Sequence, residues 1–160
     1  MNKDTVDNTA FIRGRDGEKS VGAVLSVFGH KVEFMPYGWK KFDILMDDKI
    51  KIEVKCAAPI MKKGVPEWQF NIHRHNKVDE GEVDIYIFRF EGIPGSRKAI
   101  HALIKPPLVK QTIRYSTRQL LEGAISEEVK AFRALNLKSR GDKGLKDEGR
   151  GLETQTTEGQ

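Results

Sequence analysis

One cysteine, Cys56, stands in a chain of 160 residues, so no disulfide can close within it. A lone thiol is the usage of a reducing compartment, and the expected location is the cytoplasm. No apolar run approaches the roughly 20 residues that a membrane helix requires, so no membrane partner is expected. The opening MNKDTVDNTA puts no apolar stretch behind its charges, which argues against a secretory signal. No segment repeats another. Large apolar residues also run out at the C-terminal end. KSRGDKGLKDEGRGLETQTTEGQ, residues 138–160, has only two leucines among them, and it is expected to stay disordered because it cannot bury enough to offset its ordering entropy.

What remains is an ordinary globular composition, with 38% hydrophobic and 32% charged residues. A chain of this size forms one domain, expected over residues 1–137. Lys and Arg outnumber Asp and Glu by 28 to 23, a net charge of +5. That modest excess favours an anionic partner such as nucleic acid, although many basic proteins bind none.

Residues 1–15 are polar and expected to be loose as far as Phe11 and Ile12. EKSVGAVLSVFG then reads as a helix, with Val21, Val24, Leu25 and Phe28 at i, i+3, i+4 and i+7. Asp16 is a candidate cap, and Gly29 sits where helices commonly stop. HKVEFMPYG reads as a strand ending near Pro36. FDILM and IKIEVKC are two more strands joined by a tight turn, APIMKKGVPE is a loop, and WQFNIH alternates with Trp68, Phe70 and Ile72 on one side. VDIYIFRF, apolar at nearly every position, is the candidate central strand, and AIHALI is a shorter one stopped by Pro106 and Pro107. STRQLLEGA and SEEVKAFRALNL carry helical patterns, with Ser116 or Thr117 and Ser126 as caps. The expected class is α/β, specifically an α+β mixed sheet with an N-terminal helix before it and C-terminal helices after it.

The chemistry concentrates in FDILMDDKIKIEVKCA, residues 42–57. Strand faces alternate with period two, so Phe42, Ile44 and Met46 share one face and Ile50, Ile52 and Val54 share one face. A turn at Asp47, Asp48 and Lys49 pairs Met46 with Ile50, Ile44 with Ile52 and Phe42 with Val54. The same register sets Asp43 opposite Glu53, with Cβ atoms about 4.5–5.5 Å apart. Two carboxylates that close repel unless something positive sits between them, and a divalent metal removes the penalty. Lys55 projects to the same side as Glu53. Glu18 lies in line with the core stripe of the helix, near its N-terminus, where it can reach the edge of the covered sheet. Two readings remain open at this point. Lys51, Glu53 and Lys55 also suit a solvated strand face, and Glu18 also suits a first-turn acid placed for the helix dipole.

These residues resemble the PD-(D/E)XK nuclease superfamily, the restriction-endonuclease-like fold. The likeness rests on Glu18 in the first helix, Asp43 at the start of one strand, Glu53-Val54-Lys55 on the next, and the following WQFNI and VDIYIF strands, in order over roughly residues 11 to 105. Phe42 stands where the motif has proline, a position the family often replaces. The resemblance implies a metal-dependent DNA endonuclease that hydrolyses phosphodiester bonds. Asp43, Glu53 and the Val54 carbonyl would hold Mg²⁺ or Mn²⁺, with Glu18 completing a second metal site or positioning a water. Lys55 would orient a water and stabilise charge on the phosphate. Gln69 would contact the phosphate or a metal-bound water if its strand neighbours Glu53; otherwise it is a solvent-side residue. A restriction-, homing- or resolvase-like enzyme is implied, working as a homodimer without a small-molecule cofactor. The alternatives are a dedicated Holliday junction resolvase and a nucleic-acid-binding module of the same fold without cleavage.

Trp39, Lys40 and Lys41 before Asp43, and Lys62 and Lys63 after the strand of Glu53, are candidates to frame a DNA channel. Paired lysines are equally a solubilising surface. His73 and His75 fall two apart, but a zinc site needs about four ligands and none cluster near them, which leaves His73 as a candidate phosphate contact. Ser116, Thr117, Ser126 and Cys56 lack a paired base at readable spacing, so no covalent nucleophile is expected.

Overall fold

A computed structural model of the chain describes residues 3–39, 41–72, 82–108 and 110–141, with 3–10 and 137–141 described by backbone alone. The elements run α1 (Lys3–Val27), β1 (Val32–Phe34), β2 (Ile44–Met46), β3 (Ile50–Ala57), β4 (Ile60–Lys62), β5 (Val65–Asn71), β6 (Ile85–Phe90), β7 (Ile100–Ile104), β8 (Thr112–Ser116), α2 (Thr117–Leu121) and α3 (Ser126–Gly141). The class is α+β, as expected.

β1, β2, β3, β6 and β7 form a mixed sheet in that order. Its one parallel pair is β3 with β6; the other neighbours are antiparallel. β4, β5 and β8 form a second, antiparallel sheet. Helices cover one face of the larger sheet. Val21 and Leu25 of α1 and Phe132 of α3 pack there with Ile44, Met46, Ile52, Val54, Ile87 and Leu103. The smaller sheet covers the other face. Trp68, Phe70 and Ile72 pack there with Tyr86, Phe88 and Phe90, and the Phe70 and Phe88 rings stack at 4.4 Å. The result is three layers with two apolar seams. β6, flanked by β3 and β7 and supplying residues to both seams, is the doubly covered strand its composition predicts.

Several expectations need correction. Residues 3–15 are helical, because α1 starts at Lys3. Once the stripe at Val21 and Leu25 nucleates the helix, each added residue costs little, and no proline stands before Pro36 to stop it. Asp16 therefore lies inside the helix, where its carbonyl accepts the Ser20 hydroxyl at 2.8 Å, and is not a cap. The other end behaves as expected: Gly29 N–H donates to the Ser26 carbonyl and His30 N–H to that of Leu25, closing the helix. Residues 58–67 are not a loop. Lys62 pairs with Val65, so Lys63 and Gly64 form a two-residue hairpin turn, with φ of 50° and 81°. Positive φ at both positions is the turn that a tight hairpin prefers, and glycine adopts it without a Cβ penalty. β8 was not anticipated, since TIRYS alternates too briefly to stand out. At α2, Ser116 is the cap: its hydroxyl accepts Gln119 N–H while the Gln119 side chain accepts the Ser116 N–H. α3 runs through Gly141, and residues 142–160 lie outside the described residues.

The hairpin register matches the sequence reading as far as Ile44, with Met46 opposite Ile50 and Ile44 opposite Ile52. It then breaks. Asp43 is not a ladder partner of Glu53, because its N–H donates to the Ile52 carbonyl. The chain bends there, and Phe42 joins the seam under the smaller sheet, not the face of Ile44 and Met46. Phe42 gains an edge-on contact with Trp39, ring centroids 5.9 Å apart, and a place in the aromatic seam. That burial outweighs one more step of strict alternation.

Candidate active site

β3 alternates in its backbone as well as its side chains. Ile52 presents its carbonyl to Asp43, and Lys51 presents its own to Asp84 N–H, on the β6 side. Val54 therefore faces the β2 side, but β2 begins only at Ile44. The Asp43 side chain fills the gap, its Oδ2 accepting Val54 N–H at 2.8 Å. The bend that removes Asp43 from the ladder is what brings its carboxylate into the sheet edge.

Glu53 and Lys55 project from β3 on the side opposite Ile52 and Val54. Lys55 Nζ donates to Glu53 Oε1 at 2.6 Å, and the two side chains are 25% and 20% exposed, reachable from solvent yet partly desolvated. Glu18 comes from the helix layer. α1 lies so close to β3 that a Cβ on Gly17 would overlap the Cys56 sulfur, which presses the following residue against the same end of the sheet. Arg15 donates to Glu18 at 2.8 Å.

These groups share one electrostatic neighbourhood. Asp43 is pushed up to about 7, first by burial, then by the negative charges of Glu53 and Glu18; the Val54 N–H and Lys55 pull the other way without balancing them. The site is short of positive charge. Cys56, directly behind it, is pushed up to about 12 by burial, so its thiol stays protonated and is not a nucleophile.

Glu18, Asp43, Glu53 and Lys55 are thus brought together, with Val54 tied to Asp43. Gln69 is elsewhere. Its strand, β5, belongs to the smaller sheet and packs against β3 without a ladder between them. Its side chain bonds to Asn71 and to Arg114. Lys41 pairs loosely with Glu82 at 3.4 Å, and Lys62 approaches Glu67 at 3.9 Å. Trp39 is half exposed beside Phe42. Lys63 occupies the β4–β5 turn. Lys40 and His73 lie outside the described residues. Asp47 and Asp48 hold the hairpin tip: Asp47 accepts His30 Nδ1 and Lys31 N–H, and Asp48 pairs with Lys31. Among the described residues, no group of three or more His, Cys, Asp or Glu side chains is placed to hold a metal ion. Nor is any helix long and apolar enough to cross a membrane.

No protein-family model matches this sequence, and no curated protein does. Among solved structures, the chain is similar in fold to the bacterial homing endonuclease I-Ssp6803I. The TM-score is 0.55 at 13% identity, over 82% of this chain and 94% of that one.

Proposed function

We propose that the protein is a divalent-metal-dependent DNA endonuclease of the PD-(D/E)XK type. The observation that carries this reading is Asp43, a half-buried carboxylate withdrawn from its ladder, bonded to Val54 N–H at 2.8 Å, and pushed up to about 7 by desolvation and by the charges of Glu53 and Glu18. An arrangement that costs charge repulsion in the free protein suits a site that receives a cation.

The donor set fits Mg²⁺ or Mn²⁺. These are oxygen ligands on a hard-cation pattern, and Mg²⁺ keeps several waters and takes only one or two carboxylates, so a full protein cage is not required. Asp43 and Glu53 would hold the ion, with the Val54 carbonyl beside them. The ion supplies charge neutralisation at the phosphate and a more acidic bound water. Lys55, held by Glu53 at 2.6 Å, is poised to meet a phosphate oxygen and the charge that develops on it. Glu18 adds a further carboxylate from the helix side, to position a water or a second ion. Lys41, Lys62, Lys63 and the exposed Trp39 supply phosphate and base contacts. One such site cuts one strand, so cleavage of both strands calls for a second copy of the chain. Among restriction-, homing- and resolvase-like enzymes, the fold likeness favours a homing-like enzyme.

Incubation of supercoiled, linear and branched DNA with Mg²⁺ or with EDTA tests the reading. Nicking or linearisation is expected with Mg²⁺ alone, reduced at least 100-fold in Asp43→Ala and Lys55→Ala. Metal-independent cutting, or full activity in Asp43→Ala, overturns it.

A further inference from the structure

The smaller sheet has a face that the active site does not use. Trp68, Phe70, Ile113 and Tyr115 of β5 and β8 turn inward to the aromatic seam. Alternation then turns Gln69, Asn71, Thr112 and Arg114 outward, and no described element covers them. They are not four independent surface residues. Gln69 sits opposite Arg114 and Asn71 opposite Thr112 across the ladder. Arg114 Nε donates to Gln69 Oε1 at 3.2 Å, and Asn71 Oδ1 accepts both Gln69 Nε2 and the Thr112 hydroxyl at 3.2 Å. Bonds among neighbours fix these side chains, so less rotamer entropy remains to be lost on binding. Arg114 is bonded through Nε, and its side chain is 53% exposed.

The charge at this face is positive. Glu67 is the local acid, and Lys62 at 3.9 Å and Arg114 at 3.6 Å both lean on it, one carboxylate between two cations. Lys63 stands at the tip of the same hairpin. Glu67, Gln69 and Arg114 line a shallow depression with Ile60, Met61 and Lys62. The hairpin is also close to the chemistry in sequence: β4 begins five residues after Lys55.

We infer that the exposed face of β5 and β8 reads base edges in the DNA major groove, with Arg114 and Gln69 as the specificity-determining pair. The major groove is about 12 Å wide and admits a two-stranded ribbon. Arg presents a fork to the two acceptors of guanine, and Gln or Asn presents a donor and an acceptor to adenine. Thr and Asn set the orientation of these groups, and Lys62 and Lys63 meet the flanking phosphates. This assignment rests on the endonuclease reading and gives Gln69 a role away from the metal.

The test is a selection on a randomised duplex pool with the full-length protein. Cut ends formed in Mg²⁺ are sequenced, and duplex retained in EDTA is sequenced in parallel. Wild type should return a motif at a fixed distance from the cut. Arg114→Ala and Gln69→Ala should each relax the preference at one or two adjacent base pairs roughly ten-fold or more, while still cutting the pool. Lys62→Ala should leave the motif intact and lower the salt slope of binding by about one. A motif unchanged in both Arg114→Ala and Gln69→Ala, with circular dichroism and unfolding midpoint preserved, overturns the inference, as does wild-type cutting without any motif. A wild type that neither cuts nor retains duplex overturns the endonuclease reading and this inference with it. Retention with a motif but no cutting overturns the endonuclease reading alone.

Discussion

Asp43 has its protonation set by its surroundings. Its burial and its acidic neighbours push it up to about 7, against an ordinary value near 3.8. The folded state therefore holds a proton that the unfolded chain releases from about pH 4 upward. Stability contributed by that proton is full below the ordinary value and is lost as pH rises through about 7. His101 acts in the opposite direction over part of the range. Half-buried, stacked on Phe132 and near Arg89, it is lowered to about 4, so acid below about 6.5 favours the unfolded chain. The two slopes offset each other in wild type. Removing one exposes the other: Asp43→Asn should become more stable as pH rises from 4.5 to 6.5, and should exceed wild type by about 1–3 kcal/mol at pH 8. Urea unfolding at those pH values measures this. A variant less stable than wild type at pH 8 would show that the carboxylate is not under strain. At the same scale, the Cys56 thiol should resist alkylation in the native protein at pH 8 and react only on unfolding.

The elements set where these side chains stand. α1 sits tightly on β3 at Gly17, where there is no room for a Cβ against the Cys56 sulfur. Gly17→Ala should push the helix outward, costing about 1–3 kcal/mol despite alanine's better helix propensity, and should cut nuclease activity by moving Glu18. Ser116→Ala breaks the capping box of α2 and should cost about 1 kcal/mol without touching cleavage. Thermal unfolding beside plasmid nicking separates the two outcomes. Much at this scale was legible in the sequence. Alternating Trp68, Phe70 and Ile72, the unbroken apolar run of β6, and the stripe of Val21 and Leu25 each declared a buried face. Features set by neighbours were not legible. β4 exposes all three of its residues and so shows no alternation, and β8 borrows its order from β5. The bend at Asp43 depends on Phe42 finding Trp39 and the aromatic seam. Strict alternation therefore placed Asp43 across from Glu53, whereas the chain places it beside Val54. The bend keeps Asp43 at the end of the same strand pair, within electrostatic reach of Glu53 and Glu18. Gln69 followed the reverse course, its outward direction legible but not its sheet.

At the scale of the whole molecule, three layers divide the work. The helix layer brings Glu18, the mixed sheet brings Asp43, Glu53 and Lys55, and the smaller sheet offers a polar, cationic outer face. The net charge of +5 is modest, so DNA binding should be moderate and fall steeply between 50 and 200 mM salt, as about 10³-fold for six phosphate contacts. Filter binding in EDTA measures this slope, and binding insensitive to salt would argue against a nucleic-acid partner. The central claim is that the crowded carboxylates exist to receive a cation. Its most direct measurement is the unfolding midpoint with and without millimolar Mg²⁺ or Mn²⁺, at pH 6 and pH 8, in wild type, Asp43→Asn and Glu53→Gln. A bound ion stabilises the folded state by mass action and competes with the proton on Asp43. Wild type should rise by several degrees at pH 8 and less at pH 6, and neither variant should respond. An equal rise in all three proteins, or no rise in wild type at pH 8, would contradict a metal site between Asp43 and Glu53.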